Sequence, residues 1–250
     1  MSPRLWNILA SLIAAIYVAA ATVAPSAADT LQVAVLENSP PMSFRDGDGR
    51  LTGFSVEVVQ AVCAEMKVQC EFQAMVLDRV VDALADGEID IAAVILLDTP
   101  ERRRRILLAQ PHFRSITLWF ARPGVEPGQR GLRVAVVKGS AQETYARKQN
   151  WDTVGVPTSG ELGAPLIAGI AQAAIVPMNT SLHLQRNRDF RQLGLAATVM
   201  TVPALVGNAS FGINPRRPDL KIAVDDALEH IKRNGVYERI NTQFLPFRVQ

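Results

Sequence analysis

The feature that most constrains this chain is an alternation of short apolar runs with helical patterns over residues 31–101. Residues 31–36 (LQVAVL) read as a strand and stop at the breaker run Asn38-Ser39-Pro40-Pro41. Residues 56–66 carry helical periodicity, with Val58, Val59, Val62 and Cys63 on one face. Residues 70–76 form a second strand. A helix over 77–85 starts at Leu77 and ends at Asp86-Gly87, and residues 89–95 (IDIAAVI) are a third, buried strand. Thr99-Pro100-Glu101 has the marks of a helix start: a hydroxyl cap, proline at the first position, then an acid. The order β-α-β-α-β-α implies the α/β class, with a mainly parallel sheet flanked by helices.

A second, smaller copy of the pattern follows. Residues 116–121 lead out of the first unit as a strand. Residues 132–137 form a strand, Gly139-Ser140 opens a helix through 148, residues 153–156 a strand, 163–168 a helix and 173–176 a strand. Residues 218–244 read as two amphipathic helices broken at Asn234-Gly235.

The N-terminus reads as an export signal. Arg4 is the only charge before Asp29, residues 5–24 are almost wholly apolar, and Pro25 and the small residues Ser26-Ala27-Ala28 place cleavage after Ala28. The competing reading is an uncleaved N-terminal anchor. With 26 Lys+Arg against 24 Asp+Glu, the net charge of +2 comes with no long basic tract to attract nucleic acid. Cys63 and Cys70 would meet an oxidising compartment, where they can pair; two buried thiols are the alternative. His112, His183 and His230 are scattered without metal-ligand spacing, and no metal or cofactor is expected. His112 follows Pro111 at a turn and is expected on the surface.

Several segments, taken together, resemble the family-3 extracellular solute-binding proteins, especially those for histidine and for lysine/arginine/ornithine. They are Ser39-Pro40-Pro41-Met42, then Leu51-Thr52-Gly53-Phe54-Ser55-Val56-Glu57, Gly87-Glu88-Ile89-Asp90, Asp98-Thr99-Pro100-Glu101-Arg102, residues 132–145 (LRVAVVKGSAQETY), and Asn234-Gly235-Val236-Tyr237. Cys63-x6-Cys70-x-Phe72 is similar to the disulfide loop of the histidine-binding branch, which implies a Cys63–Cys70 bond. The resemblance implies a two-lobed periplasmic binding protein fold of type II with the ligand cleft between the lobes. Residues 29–118 plus 208–250 would be lobe one and 119–207 lobe two.

Ligands of open parallel sheets sit beyond the carboxyl ends of strands, where helix N-termini offer unpaired N–H groups. Two such termini are visible, at Thr99 to Arg102 and at Gly139 to Gln142. By the resemblance, Arg102 grips a ligand carboxylate, which a guanidinium can meet at both oxygens. Arg103, Arg104 and Arg105 read as solvated charge. Other positions depart from the family. Its stacking aromatic falls on Ser39, its small hydroxylic residue on Leu97, its second-lobe helix-start hydroxyl on Ala141 beside Ser140, and its ammonium-binding acid on Pro177. Leu77, Asp98 and Gln142 complete the expected cleft; the alternative at Leu97 and Pro177 is a match displaced by a residue or two, with Asp98 or Asn179 standing in. Glu57 and Asp90 read as caps, and Trp119 and Phe120 as core. An ammonium buried without an acid costs several kcal/mol, which favours a carboxylate solute lacking one.

The expected function is a monomeric periplasmic receptor that passes an amino-acid-like or carboxylate solute to a membrane ABC permease. Two alternatives stand beside it. One is an exported enzyme on the same fold, similar to the cyclohexadienyl dehydratases. The other is an orphan ligand sensor acting in trans. No His pairs with Glu57, Asp98 or Glu143, so a non-enzyme is expected.

Overall fold

A computed structural model describes residues 30–249. The expected export signal and its cleavage after Ala28 lie outside the described residues. The elements run β1 (Thr30–Leu36), β2 (Phe44–Arg45), β3 (Leu51–Thr52), α1 (Phe54–Met66), β4 (Gln69–Met75), α2 (Leu77–Asp86) and β5 (Ile91–Leu97). Next come a single turn α3 (Pro100–Arg103), β6 (Leu107–Leu108), β7 (Phe113–Ser115), β8 (Thr117–Ala121), β9 (Arg133–Val137), α4 (Ala141–Lys148) and β10 (Asp152–Val156). The chain continues through α5 (Ala164–Ile167), β11 (Ala173–Pro177), α6 (Met178–Leu184), α7 (Arg188–Gln192), β12 (Ala196–Met200), β13 (Gly207–Ile213), α8 (Pro218–Arg233) and α9 (Val236–Phe244).

These build two sheets. The first has the order β4-β1-β5-β13-β6, with β7 also pairing with β13; the second has the order β10-β9-β11-β8-β12. Within the first, β1 is parallel to β4 and β5, while β13 runs antiparallel to β5. Within the second, β9 is parallel to β10 and β11, and β8 is antiparallel to β11 and β12. The chain crosses once from β7 into β8 and returns from β12 into β13. The architecture is a two-lobed α/β fold.

Each unit buries its own apolar faces. In the first, Val58, Val59, Val62 and Cys63 of α1 pack with Phe211, Leu220, Val224 and Leu228 from the C-terminal half. Cys63 is disulfide-bonded to Cys70 of β4, which ties the end of α1 to the adjoining strand. In the second, Leu118, Phe120, Leu162, Leu166 and Phe190 form one core and Trp119, Val136 and Ile175 another.

Three features differ from the sequence reading. The buried strand runs Ile91–Leu97, two residues later than its predicted span, because Asp90 is spent as an anchor: it accepts from Gln32 N–H (2.9 Å) and faces Arg217 (3.5 Å). Residues 178–213, assigned no element from sequence, hold α6, α7, β12 and β13. His112 is not on the surface but 1% exposed. β13 and the last helix cover it: its ring lies 4.1 Å from that of Phe211, and the Tyr237 hydroxyl donates to its carbonyl oxygen. Burial, assisted by the charge of Lys232, pushes its pKa down to about 3.

Candidate ligand-binding site

Where the two units meet, a cavity of about 80 Å³ lies between the end of β5, the loop after β1 and the start of α4. Of the residues nominated from sequence, Ser39, Leu77, Leu97, Arg102, Ser140, Ala141, Gln142 and Pro177 all line it. Asp98 does not. It faces a neighbouring groove of about 750 Å³, where the exposed Arg103 guanidinium takes both of its oxygens.

Arg102 is placed by its cap. Thr99 Oγ1 accepts the Arg102 backbone N–H (3.3 Å), so the helix starts where the sequence reads it, although it lasts a single turn. The guanidinium turns inward, 9% exposed for the whole residue, while Arg103, Arg104 and Arg105 stay in solvent. It donates to Leu97 O (2.9 Å) and, across the cleft, to Gly139 O (3.4 Å). Arg102 forms no ion pair among the described residues, and burial lowers its pKa to about 10. A lowered guanidinium pKa means that the folded protein holds this charge less well than water does. An anion brought to its remaining donors would reverse that.

The opposing wall is the N-terminus of α4. Ser140 caps it, accepting from Glu143 N–H (3.0 Å), and the Glu143 carboxylate in turn accepts from Gly139 N–H (2.7 Å). This Ser-x-x-Glu pattern, a variant of the capping box, fixes the loop and leaves the N–H groups of Ala141 and Gln142 without intrahelical acceptors. The Gln142 amide donates to Thr117 Oγ1 (2.9 Å), and that hydroxyl donates to Leu205 O (2.7 Å). Gln142 is thereby tied to both segments by which the chain passes between the units. Gly139 (φ 75°) is required here: a Cβ would fall 2.5 Å from the Asp78 Cα of the facing helix.

Ser43, Ser55, Ser115, Ser159, Asn179 and Thr180 also line the cavity. Of these only Asn179 was singled out from sequence, because a single hydroxyl residue carries no local mark of its direction. Ser55 Oγ is buried with no hydrogen-bond partner among the described residues. Glu57 accepts from Thr52 Oγ1 at the first turn of α1, away from the cavity. Trp119 and Phe120 lie in the second unit's cores. No Asp or Glu lines the inner cavity among the described residues, and Arg102 is its one formal charge. Outside it, Glu101 and Lys148 form an ion pair across the cleft (2.8 Å). The Glu101 pKa falls to about 2, mainly through its hydrogen bond with Lys148. No group of three or more His, Cys, Asp or Glu suited to a metal occurs among the described residues.

The family model of bacterial extracellular solute-binding proteins, family 3, matches residues 31–247. The chain belongs to this family. Among its members, the putative ABC transporter arginine-binding protein 2 of Escherichia coli (strain K12) is 23% identical over 233 residues, 92% of this chain and 96% of that protein. The lysine/arginine/ornithine-binding periplasmic protein of the same organism is 24% identical over 234 residues, 88% of this chain and 89% of that one. A solved ancestral amino acid-binding protein, described as a precursor of cyclohexadienyl dehydratase, superimposes with a TM-score of 0.73 at 22% identity, covering 86% and 95% of the two chains. These relatives are named as binding proteins, not enzymes.

Proposed function

We propose that this protein is the periplasmic receptor of an ABC-type uptake system, and that it takes a small carboxylate-bearing solute between its lobes. The observation that carries this is the charge of the inner cavity: one buried guanidinium, hydroxyls and amides around it, and no carboxylate. Arg102 receives the solute's carboxylate, with the first N–H groups of α4 across from it. The lobes divide at the two crossings, so that β8 from Thr117 belongs to lobe two and β13 from Gly207 to lobe one, one or two residues from the boundaries at 118/119 and 207/208 read from sequence; an export signal ends at Ala28, and a membrane permease is the partner of the monomeric mature chain. The curated relatives are named for arginine and lysine. Neither an ammonium nor a basic side chain brought into this cavity would find an acid to meet it, so the solute differs from theirs in lacking a cationic group.

Calorimetry with amino acids and simple carboxylates tests this in the parent, in Arg102→Ala and in Arg104→Ala as the surface control. The expected result is a loss of about 2–5 kcal/mol of binding in Arg102→Ala alone. Equal affinity in all three removes Arg102 from the site. Tight binding of arginine overturns the inference drawn from the missing acids.

A further inference from the structure

The inner cavity and the outer groove adjoin, and four residues line both: Leu77, Leu97, Arg102 and Ala141. Residues on the walls of two adjoining spaces stand between them. Leu97 ends β5 and is 7% exposed. Leu77 begins α2 and packs against core residues of both units, so it spans the cleft. Ala141 begins α4 on the far side. Arg102 closes the remaining gap, held to the carbonyl of Leu97 on one side and of Gly139 on the other. The two spaces differ greatly in size, about 80 Å³ inside against about 750 Å³ outside. At about 30 Å³ for each water-sized group, the inner one has room for about three.

We infer that Leu77 and Leu97, with Arg102 between the strand end and the loop, form a partition that sets the length of solute this receptor accepts. This rests on the reading of Arg102 as the carboxylate anchor. With the carboxylate on Arg102, a short chain fits inside. A longer one must displace a buried leucine or pull the guanidinium from its two carbonyls. Beyond the partition the outer groove has ample room, so the wall, and not the size of the cleft, is limiting. Trimming either leucine joins the two spaces.

The test is a calorimetric series of straight-chain monocarboxylates from acetate to octanoate, run on the parent, Leu77→Ala, Leu97→Ala and Ala141→Leu. Affinity in the parent should drop by about tenfold once the chain outgrows the inner cavity, as overpacking requires. In Leu77→Ala and Leu97→Ala the drop should move to longer acids, and in Ala141→Leu to shorter ones. An unchanged cut-off in all four proteins overturns the partition. Leu77 is half-buried, so its variant keeps the test usable if Leu97→Ala fails to fold. If no acid binds the parent, or Arg102→Ala binds acids equally well, the anchor reading fails. The partition is then decided by crystal structures of the parent and Leu77→Ala. Two chambers in the parent and one in the variant support it; two in both end it.

Discussion

The two units contribute opposite things to the same cavity. The first supplies mostly apolar wall, the Ala93 to Leu97 run of β5 with Leu36, Met42 and Leu77, and one charge. The second supplies mostly polar groups, Ser140, Gln142, Ser159, Asn179 and Thr180, carried on short elements and loops. Their construction differs in parallel. The first is braced by α1, α8, α9 and a disulfide, whereas α5, α6 and α7 of the second are short and most of β12 is exposed. A framework that is stiff and apolar holds the anchor in place. The more loosely built unit adds Ser140, Gln142, Ser159, Asn179 and Thr180 to the serines Ser39, Ser43, Ser55 and Ser115 of the first.

The sharpest way to break this comparison is to empty each core separately. Leu228→Ala in α8 and Leu162→Ala ahead of α5 remove side chains that are 0% exposed, and each should cost about 2–5 kcal/mol. Hydrogen exchange should rise in β1 and α1 for the first and in β9 and β11 for the second. Exchange that rises equally in both units would mean one cooperative body. Next in size, Cys63→Ser with Cys70→Ser should lose about 2–3 kcal/mol in denaturant titration, with faster exchange confined to the first unit.

His112 offers a pH handle on the same unit. Its pKa is depressed to about 3, so the folded state refuses a proton that the unfolded chain takes up near 6.5. The stability contributed is present above 6.5 and is lost as pH falls toward 3. Between pH 7 and 5 the loss should be about 2 kcal/mol, and His112→Leu should flatten that slope in thermal melts. The smallest effect is expected at the seam. Glu101→Gln removes an exposed cross-cleft pair and should change solute affinity by no more than about twofold. The depressed Glu101 pKa keeps the pair charged at neutral pH. Its contribution is present above about 4.5 and is lost as pH falls through about 2.

The long periodic elements were legible before the structure. The helix predicted at 56–66 is Phe54–Met66, that at 77–85 is Leu77–Asp86, and the break at Asn234-Gly235 falls between α8 and α9. The helix starts that carry Arg102, Ser140 and Gln142 were legible because caps leave local marks, and the resemblance singled out Arg102 within the first of them. What stayed hidden depends on distant partners. β13 (GNASFGI) has little apolar alternation, yet it lies inside the sheet because Gly212 fits beneath Leu84, whose Cδ1 a Cβ would approach to 2.5 Å. Ser43, Ser55, Ser115 and Ser159 come from four separate segments and acquire meaning only when two units close on them. His112 looked like a turn residue because part of its cover, Tyr237, lies more than a hundred positions later in the chain.

The position of β13 has a consequence for how the chain acquires its shape. It sits between β5 and β6, yet it is made only after the whole second unit. A polypeptide emerging from its N-terminus therefore holds β5 with an open edge until residue 207 has appeared. Phe211, Leu220 and Leu228, which seal the first core, arrive later still. The second sheet, by contrast, is contiguous from Thr117 to Met200 and can close on itself as soon as it is delivered. Vectorial release thus favours completing the later-made half first, and the half that begins the chain is finished last.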